Sequence, residues 1–241
     1  MASSSGPRIL ALGGASLAAS SNDTRLFEYL LDLSGQDRPR ICYIGTASGD
    51  NPEHVAAFYA FFARRAEASH LALFERRIDD IEGFLLDQDV IYVGGGNTAN
   101  MLAIWRAHRV DAALKKAWQQ GVILAGPSAG AVCWFEAGTT DSFGPGLTAL
   151  RDGLKLLPGS FCPHYDSESL RRPRFHELVA SGELPDGYAA DDSVGLLFAG
   201  TDLAEVVAVL PETRAFFVAR QRARGRPDSA EETAIRPRIL R

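Results

Sequence analysis

The sequence predicts an α/β protein in which helices cover both faces of a mostly parallel β-sheet. Short runs of apolar residues alternate with longer segments of helical periodicity through the first half of the chain, and glycines closely follow most of these runs. Continuous apolar runs are typical of strands buried on both faces. Alternation of strand and helix is typical of β-α-β units. The predicted architecture is therefore three layers, with one sheet between two layers of helices.

The elements follow in order along the chain. Predicted strands cover residues 8–12, 41–44, 71–74, 90–93 and 122–125, and predicted helices cover residues 24–33, 52–66, 98–107 and 109–120. Beyond residue 137, glycines and prolines loosen the pattern until strands return at 194–198 and 204–210. Residues 215–241 are predicted to form a terminal hairpin, and residues 1–7 to be flexible. One domain over residues 1–241 is expected, because this length buries a sufficient core.

Charge and hydropathy restrict the classes of partner. The formal net charge is -5, while residues 220–241 contain seven Arg against three acidic residues. An acidic body argues against nucleic acid as the main partner, and the basic end is interpreted as a solvated hairpin. No apolar run reaches the ~18 residues that a membrane-spanning helix requires, so no membrane contact is predicted.

The three cysteines, Cys42, Cys133 and Cys162, are far apart in the sequence. Such spacing argues against a disulfide framework and against a zinc site, and it is typical of a reducing compartment. We therefore expect a cytoplasmic protein with no metal and no cofactor.

The sharpest motif is Gly126-Pro-Ser128-Ala-Gly130, which directly follows a predicted buried strand and precedes a helix-compatible segment. A nucleophile elbow has this form, because small residues on both sides of the serine permit a tight, strained turn that exposes the hydroxyl. The motif predicts Ser128 as a nucleophile. The main-chain N–H of Ala129 is then a predicted donor to an oxyanion.

A serine nucleophile requires a base, and the chain has five histidines. His164 lies in a predicted loop after Pro163, whereas the other four lie in or beside predicted helices and strands. We predict His164 as the general base. The orienting carboxylate has several candidates that spacing does not separate: Glu136, Asp141, Asp166, Asp191 and Asp192.

A second glycine cluster, Gly94-Gly-Gly96, also leaves a strand and opens a helix. We predict that the Gly96 N–H faces the same oxyanion and that Asn97 lines the substrate pocket. The rival interpretation is a phosphate cradle. The cluster continues Asn-Thr-Ala-Asn, however, and so matches neither the dinucleotide pattern nor the Walker pattern.

Together, the segments 93–98, 126–131, 139–141 and 162–164 resemble motifs of the peptidase E family of serine peptidases, the α-aspartyl dipeptidases, which are related to cyanophycinase. The resemblance implies a flavodoxin-like fold similar to that of class I glutamine amidotransferases, and a homodimer. It also implies Ser128 as nucleophile, His164 as base and Asp141 as orienting acid. The stretch from Ser128 to Asp141 is shorter than in those enzymes, which keeps Glu136 and Asp192 open.

The resemblance further implies that Arg171 grips the N-terminal aspartate of a substrate. The function predicted from the sequence is thus a serine peptidase acting on short peptides, above all dipeptides with an N-terminal Asp, through an acyl-enzyme on Ser128. Two alternatives stay open. One is a cyanophycinase-like or broader-specificity peptidase of the same fold. The other is a non-catalytic module that binds a nucleotide or another small ligand.

Overall fold

The computed structural model describes residues 6–15, 24–222 and 228–241, so residues 1–5 of the predicted flexible N-terminus lie outside the described part. Within it the chain forms two β-sheets and seven α-helices. In chain order the elements are β1 (Arg8–Leu12), α1 (Arg25–Asp32), β2 (Arg40–Ile44), α2 (Pro52–Phe62), β3 (Glu67–Leu71), α3 (Ile81–Leu86), β4 (Val90–Val93), α4 (Thr98–His108), α5 (Val110–Gln119), β5 (Ile123–Pro127), α6 (Ala129–Val132), β6 (Phe135–Thr140), β7 (Thr148–Leu150), β8 (Leu157–Cys162), α7 (Arg171–Ser181), β9 (Gly187–Ala190), β10 (Val194–Ala199), β11 (Asp202–Ala208), β12 (Ala215–Gln221), β13 (Ser229–Ile235) and β14 (Arg238–Ile239).

The first sheet has eight strands in the order β14-β11-β10-β1-β5-β4-β2-β3. The five strands from β1 to β3 in that order are mutually parallel, and β10 joins β1 antiparallel. One face packs against α1 and α2, and the other against α3 to α6. Burial on both faces explains the continuous apolar runs in the sequence. The predicted mostly parallel α/β fold is confirmed.

Two local predictions on the first sheet need correction. Residues 71–74 were predicted as a strand, but β3 covers Glu67–Leu71, and Phe74 beyond it is 58% exposed. β3 lies at the sheet edge and pairs only with β2, so it is less enclosed than an interior strand and does not need an apolar run. The sequence prediction also missed the six-residue helix α3, which is too short to show a helical period.

The second half of the chain builds a separate six-stranded sheet in the order β13-β12-β9-β8-β6-β7. Strands β6, β8 and β9 are parallel neighbours, while β12 and β13 form an antiparallel hairpin. The C-terminal segment predicted as a hairpin therefore pairs as one through Ile235. Its last strand, β14, then returns to the first sheet beside β11.

Several strand ends meet at one edge of the first sheet. The parallel strands β1, β2, β4 and β5 all end there, and each is followed by glycine or by the elbow. Because β10 runs in the opposite direction, it begins at the edge where they end. In open α/β sheets this edge is where ligands bind. None of the described helices combines the length and apolar character required to cross a bilayer.

Candidate active site

Ser128 occupies a strained turn between β5 and α6. Its backbone has φ 52° and ψ -119°, a region that residues with a side chain rarely adopt. A β-carbon on Gly126 would lie 2.3 Å from the carbonyl oxygen of Val93, and one on Gly130 would lie 2.2 Å from the same oxygen. Only glycine fits at both positions, because the turn packs directly against the end of β4. The Gly-x-Ser-x-Gly motif thus forms the strained strand-to-helix turn of an elbow, and the role of Ser128 as nucleophile stays a prediction.

The loop after β4 faces this elbow. A β-carbon on Gly95 would lie 3.4 Å from the Ser128 Cβ and 4.0 Å from its Oγ. Among the residues that the structure describes, no acceptor is bonded to the main-chain N–H groups of Gly95, Gly96 or Ala129. Free N–H groups beside a nucleophile are what an oxyanion hole requires. The assignment of Gly96 and Ala129 as its donors stays a prediction that this arrangement accommodates.

His164 and Asp192 form a hydrogen-bonded pair beside the elbow. The Nδ1 of His164 lies 2.8 Å from the Oδ1 of Asp192. The parallel neighbours β8 and β9 bring the two residues together, because His164 follows the end of β8 and Asp192 follows the end of β9. The backbone of His164 has a φ of 53°. Its main-chain N–H donates to the main-chain carbonyl of Gly13, directly after β1.

The environment keeps Asp192 ionised. The hydrogen bond from His164 lowers the pKa of the Asp192 carboxyl, and the positive charge of Arg171 acts in the same direction. An ionised carboxylate only accepts hydrogen bonds, so the Nδ1 of His164 is the donor in this pair, and Nε2 is the ring atom that can accept a proton. This is the tautomer that a general base for a serine hydroxyl requires.

The predicted orienting acid, Asp141, is wrong for this structure, and the alternative Asp192 occupies the position. Asp141 is exposed in the turn after β6, on the side of β8 away from β9. Glu136 is also exposed, and its carboxylate accepts the N–H of Gly159. The imidazole Nδ1 can donate to one carboxylate, and the β9 side supplies it.

The two predicted substrate-binding residues have other roles. Asn97 is the N-cap of α4, since its Oδ1 accepts the N–H of Asn100 and its Nδ2 donates to the carbonyl of Ser142. Arg171 is buried at the start of α7, with its guanidinium 2.7 Å from Glu168. Neither residue contributes to the described lining of the cavity that contains Ser128. The positive charge of Arg171 reaches the site only as a minor contribution to the lowered pKa of Asp192.

Ser128 and His164 share one cavity of about 570 Å³. Its wall includes the glycines after β4 and three polar residues that sequence reasoning did not select: Tyr43, Glu53 and His54. Tyr43 lies in β2. Its hydroxyl is 2.4 Å from the position that a β-carbon on Gly94 would occupy. Glu53 and His54 lie in the first turn of α2. The sequence placed Glu53 and His54 in a predicted helix. It contained no pattern to indicate that this helix begins beside Ser128.

The terminal hairpin supports the His164 loop from the far side. The hydroxyl of Tyr165, the residue after His164, donates to Glu232 of β13 at 2.6 Å. Glu232 also pairs with Arg172 and with His176 of α7. This network attaches the loop and α7 to the second sheet, and no motif around Glu232 reveals its role in the sequence.

Comparison with known proteins identifies the family. The family model described as peptidase family S51 matches residues 9–206. The chain belongs to peptidase family S51. It is 45% identical over 212 residues to "Uncharacterized peptidase YgaJ" of Bacillus subtilis (strain 168), an alignment that covers 88% of this chain and 91% of that protein. The predicted relationship to peptidase E and cyanophycinase is thereby confirmed.

Two solved structures share the fold of this S51 peptidase at 18% sequence identity. One, a protein of Listeria monocytogenes EGD-e assigned by name to peptidase E, has a TM-score of 0.62 over 84% of this chain and 98% of its own. The other, a peptidase from an acI-B1 Actinobacterium, has a TM-score of 0.61 over 95% and 96%. Together they confirm the predicted fold class.

No metal site is formed by the side chains of residues 6–15, 24–222 and 228–241: they contain no cluster of three or more His, Cys, Asp or Glu side chains arranged to hold an ion.

Substitution of Gly14 tests whether activity depends on the geometry of the His164–Asp192 pair. A β-carbon at Gly14 would lie 1.9 Å from the Asp192 Oδ1 and 2.9 Å from the His164 Nδ1. We expect Gly14→Ala to displace the pair and to lower kcat by about 10²-fold, the scale of a ~1 Å misplacement of a catalytic group. Gly146→Ala is the matched control, because no atom lies within 4 Å of its β-carbon position. A fully active Gly14→Ala enzyme would show that the pair does not need this geometry.

Proposed function

We propose that this S51 peptidase is a serine-type enzyme that hydrolyses short peptides through an acyl-enzyme on Ser128. The observation that carries the proposal is the joint placement of a strained, half-buried serine and a hydrogen-bonded histidine in the wall of one cavity. A turn held at positive φ by close packing of two glycines costs stability, and it is retained where an exposed nucleophile requires it.

The proposed reaction has an acylation and a deacylation half. His164 accepts the hydroxyl proton of Ser128 as Oγ attacks the scissile carbonyl, and the free N–H groups at Ala129 and Gly96 receive the oxyanion. The imidazolium is stabilised by Asp192 and then donates its proton to the leaving amine. Water, activated by the same histidine, attacks the acyl-enzyme and restores Ser128.

The substrate preference implied by the resemblance, an N-terminal aspartate, stays a prediction. The described cavity wall contains no Arg or Lys to pair with an aspartate side chain, and Arg171 is engaged by Glu168. A dipeptide library that includes Asp-X, neutral X-X and β-aspartyl-arginine members separates a dipeptidase from a cyanophycinase-like or a broader peptidase.

Labelling with a fluorophosphonate tests the mechanism directly. We expect the reagent to modify Ser128, as located by peptide mass mapping, and the labelling rate to fall at least ~10²-fold in His164→Ala, because the base activates the nucleophile. The control is His108→Ala, at the end of α4 and outside the cavity wall. Equal labelling of wild type and His164→Ala would refute the role of the histidine.

A further inference from the structure

The wall of the catalytic cavity carries an unpaired acidic group. Glu53 lies in the first turn of α2 and is exposed to the cavity that contains Ser128 and His164. Its main-chain N–H is capped by the Oδ1 of Asn51. Its carboxylate has no ion-pair or hydrogen-bond partner among the described residues. A carboxylate without a partner beside a nucleophile is available to bind substrate.

The position of Glu53 is defined by packing. Phe58, on the buried side of α2, stacks on Tyr43 with ring centroids 5.2 Å apart, and Tyr43 itself lies against Gly94. Ala57, one helical turn after Glu53, also lines the cavity. The helix therefore presents its first turn to the site as part of the framework rather than as a loose loop. Specificity groups on a rigid element discriminate better than groups on loops.

The remaining wall does not neutralise this charge. The other described lining residues are Ala15, Tyr43, His54, Ala57, Tyr92, Gly94, Gly95, Gly96, Pro127, Ser128 and His164, with no Arg or Lys among them. Burial raises the pKa of the Tyr43 hydroxyl, which favours its neutral form. Residues 16–23 lie outside the described part, and their sequence contains Asp23 but neither Lys nor Arg.

Two opposing fields act on a substrate at this wall. The N-terminus of α2 contributes about half a positive charge, whereas an ionised Glu53 contributes a full negative one. The negative contribution is the larger, and the net charge of -5 on the whole chain adds attraction for cations at longer range. The cavity wall should therefore favour a positive group near the scissile bond.

We propose that Glu53 is a specificity-determining residue that binds a cationic group of the peptide substrate beside the scissile bond. The inference rests on the proposed function of Ser128. The cation has two sources with the same chemistry, the free α-ammonium group of a short peptide or a Lys or Arg side chain. Recognition of the α-ammonium is compatible with an N-terminal aspartate, because an Asp-X dipeptide carries that group as well.

The first experiment separates the two sources with pairs of chromogenic anilides. One arm compares leucine p-nitroanilide with its 2-hydroxy analogue, in which a neutral hydroxyl replaces the ammonium. The other compares N-acetyl-lysine p-nitroanilide with N-acetyl-norleucine p-nitroanilide. Each pair gives a ratio of kcat/KM for the charged over the neutral substrate. We expect wild type to favour the charged member in one arm.

Substitution of Glu53 should change that ratio. We expect Glu53→Gln to reduce it about threefold to tenfold, the range for an ion pair that is partly shielded from water, and Glu53→Lys to reduce it further. Added salt should reduce it in wild type but not in Glu53→Gln. The control is Glu67→Gln, which removes the same charge at the opposite end of the strands, at the start of β3. Its ratio should equal that of wild type.

Binding to a Ser128→Ala background separates this inference from the proposed chemistry. Calorimetry with Leu-Leu and its 2-hydroxy analogue, and with N-acetyl-Lys-Leu and N-acetyl-norleucyl-Leu, reports the charge preference without turnover. A preference lost in Ser128→Ala/Glu53→Gln supports the role of Glu53 even if no hydrolysis is found. A ratio that Glu53→Gln leaves unchanged in both arms, in binding as in kinetics, would overturn it even if Ser128 proves to be the nucleophile.

Discussion

Ser128→Ala is expected to lower kcat for peptide hydrolysis by at least ~10³-fold, because the variant lacks the atom that forms the acyl-enzyme. The substitution retains Cβ, so the strained turn and its packing against β4 are kept. No described residue is hydrogen-bonded to the Ser128 hydroxyl, and its loss should change the free energy of unfolding by less than about 1 kcal/mol. Steady-state kinetics and thermal unfolding of the same preparation check both statements.

The control for this variant is Ser34→Ala. Ser34 follows α1, and its hydroxyl donates to the carbonyl of Leu31, far along the chain from the site residues. The Ser34→Ala variant should retain the wild-type kcat within a factor of about two. If Ser128→Ala hydrolysed peptides at nearly the wild-type rate, the acyl-enzyme mechanism would be wrong, and the elbow would have to serve ligand binding alone.

Asp192→Asn is expected to lower kcat by about 10⁴-fold, the scale of the loss when the orienting carboxylate of a serine–histidine site is replaced by its amide. The amide keeps the shape of the side chain, but its NH₂ group can donate to the Nδ1 of His164. The imidazole would then carry its proton on Nε2, where it cannot accept the proton of Ser128. Single-turnover kinetics should place the defect in acylation.

Asp141→Asn is the matched control, and it decides between the two carboxylates. Asp141 is exposed after β6, whereas Asp192 is bonded to His164, so Asp141→Asn should be close to wild type in kcat. The reverse result, an impaired Asp141→Asn and an active Asp192→Asn, would restore the assignment that the family resemblance implies.

The same pair predicts a dependence of stability on pH. The hydrogen bond from His164 lowers the pKa of Asp192 in the folded protein, so the ionised carboxylate contributes stability above its unfolded pKa of about 3.9. That contribution is lost as the pH falls through the lower, folded value. Asp192→Asn should therefore reduce the acid-induced loss of stability, as measured by denaturant unfolding from about pH 7 down to about pH 2.

The parallel sheet and the tight turn at the candidate nucleophile were readable from the sequence because each has a local signature. A strand buried on both faces must be apolar throughout, as Val90–Val93 is. An elbow that touches a neighbouring strand must have glycines at both ends, as Gly126 and Gly130 show. His164 was identified by elimination among five histidines, which is a weaker kind of local signal but still one that the sequence contains.

The orienting acid and the cavity wall depend on pairing between distant segments. β6 and β9 are both parallel neighbours of β8, so Asp141 and Asp192 both follow strands that end beside the His164 loop. Nothing in the sequence tells to which side the imidazole of His164 turns, and in the structure it turns to Asp192 on the β9 side. The antiparallel direction of β10 likewise returns the segment after β9 to the edge where the parallel strands end.

The sequence by itself thus determined the mostly parallel fold class and the tight turn at Ser128, and it selected His164 as the candidate base, since burial and tight turns restrict which residues can occupy a position. The tertiary structure alone decided that Asp192 pairs with His164, that Asn97 caps α4, that Arg171 pairs with Glu168, and that Glu53 lines the cavity of Ser128. These are contacts between elements far apart in the chain. Their partners are chosen by strand order and helix packing, which leave no local pattern in the sequence.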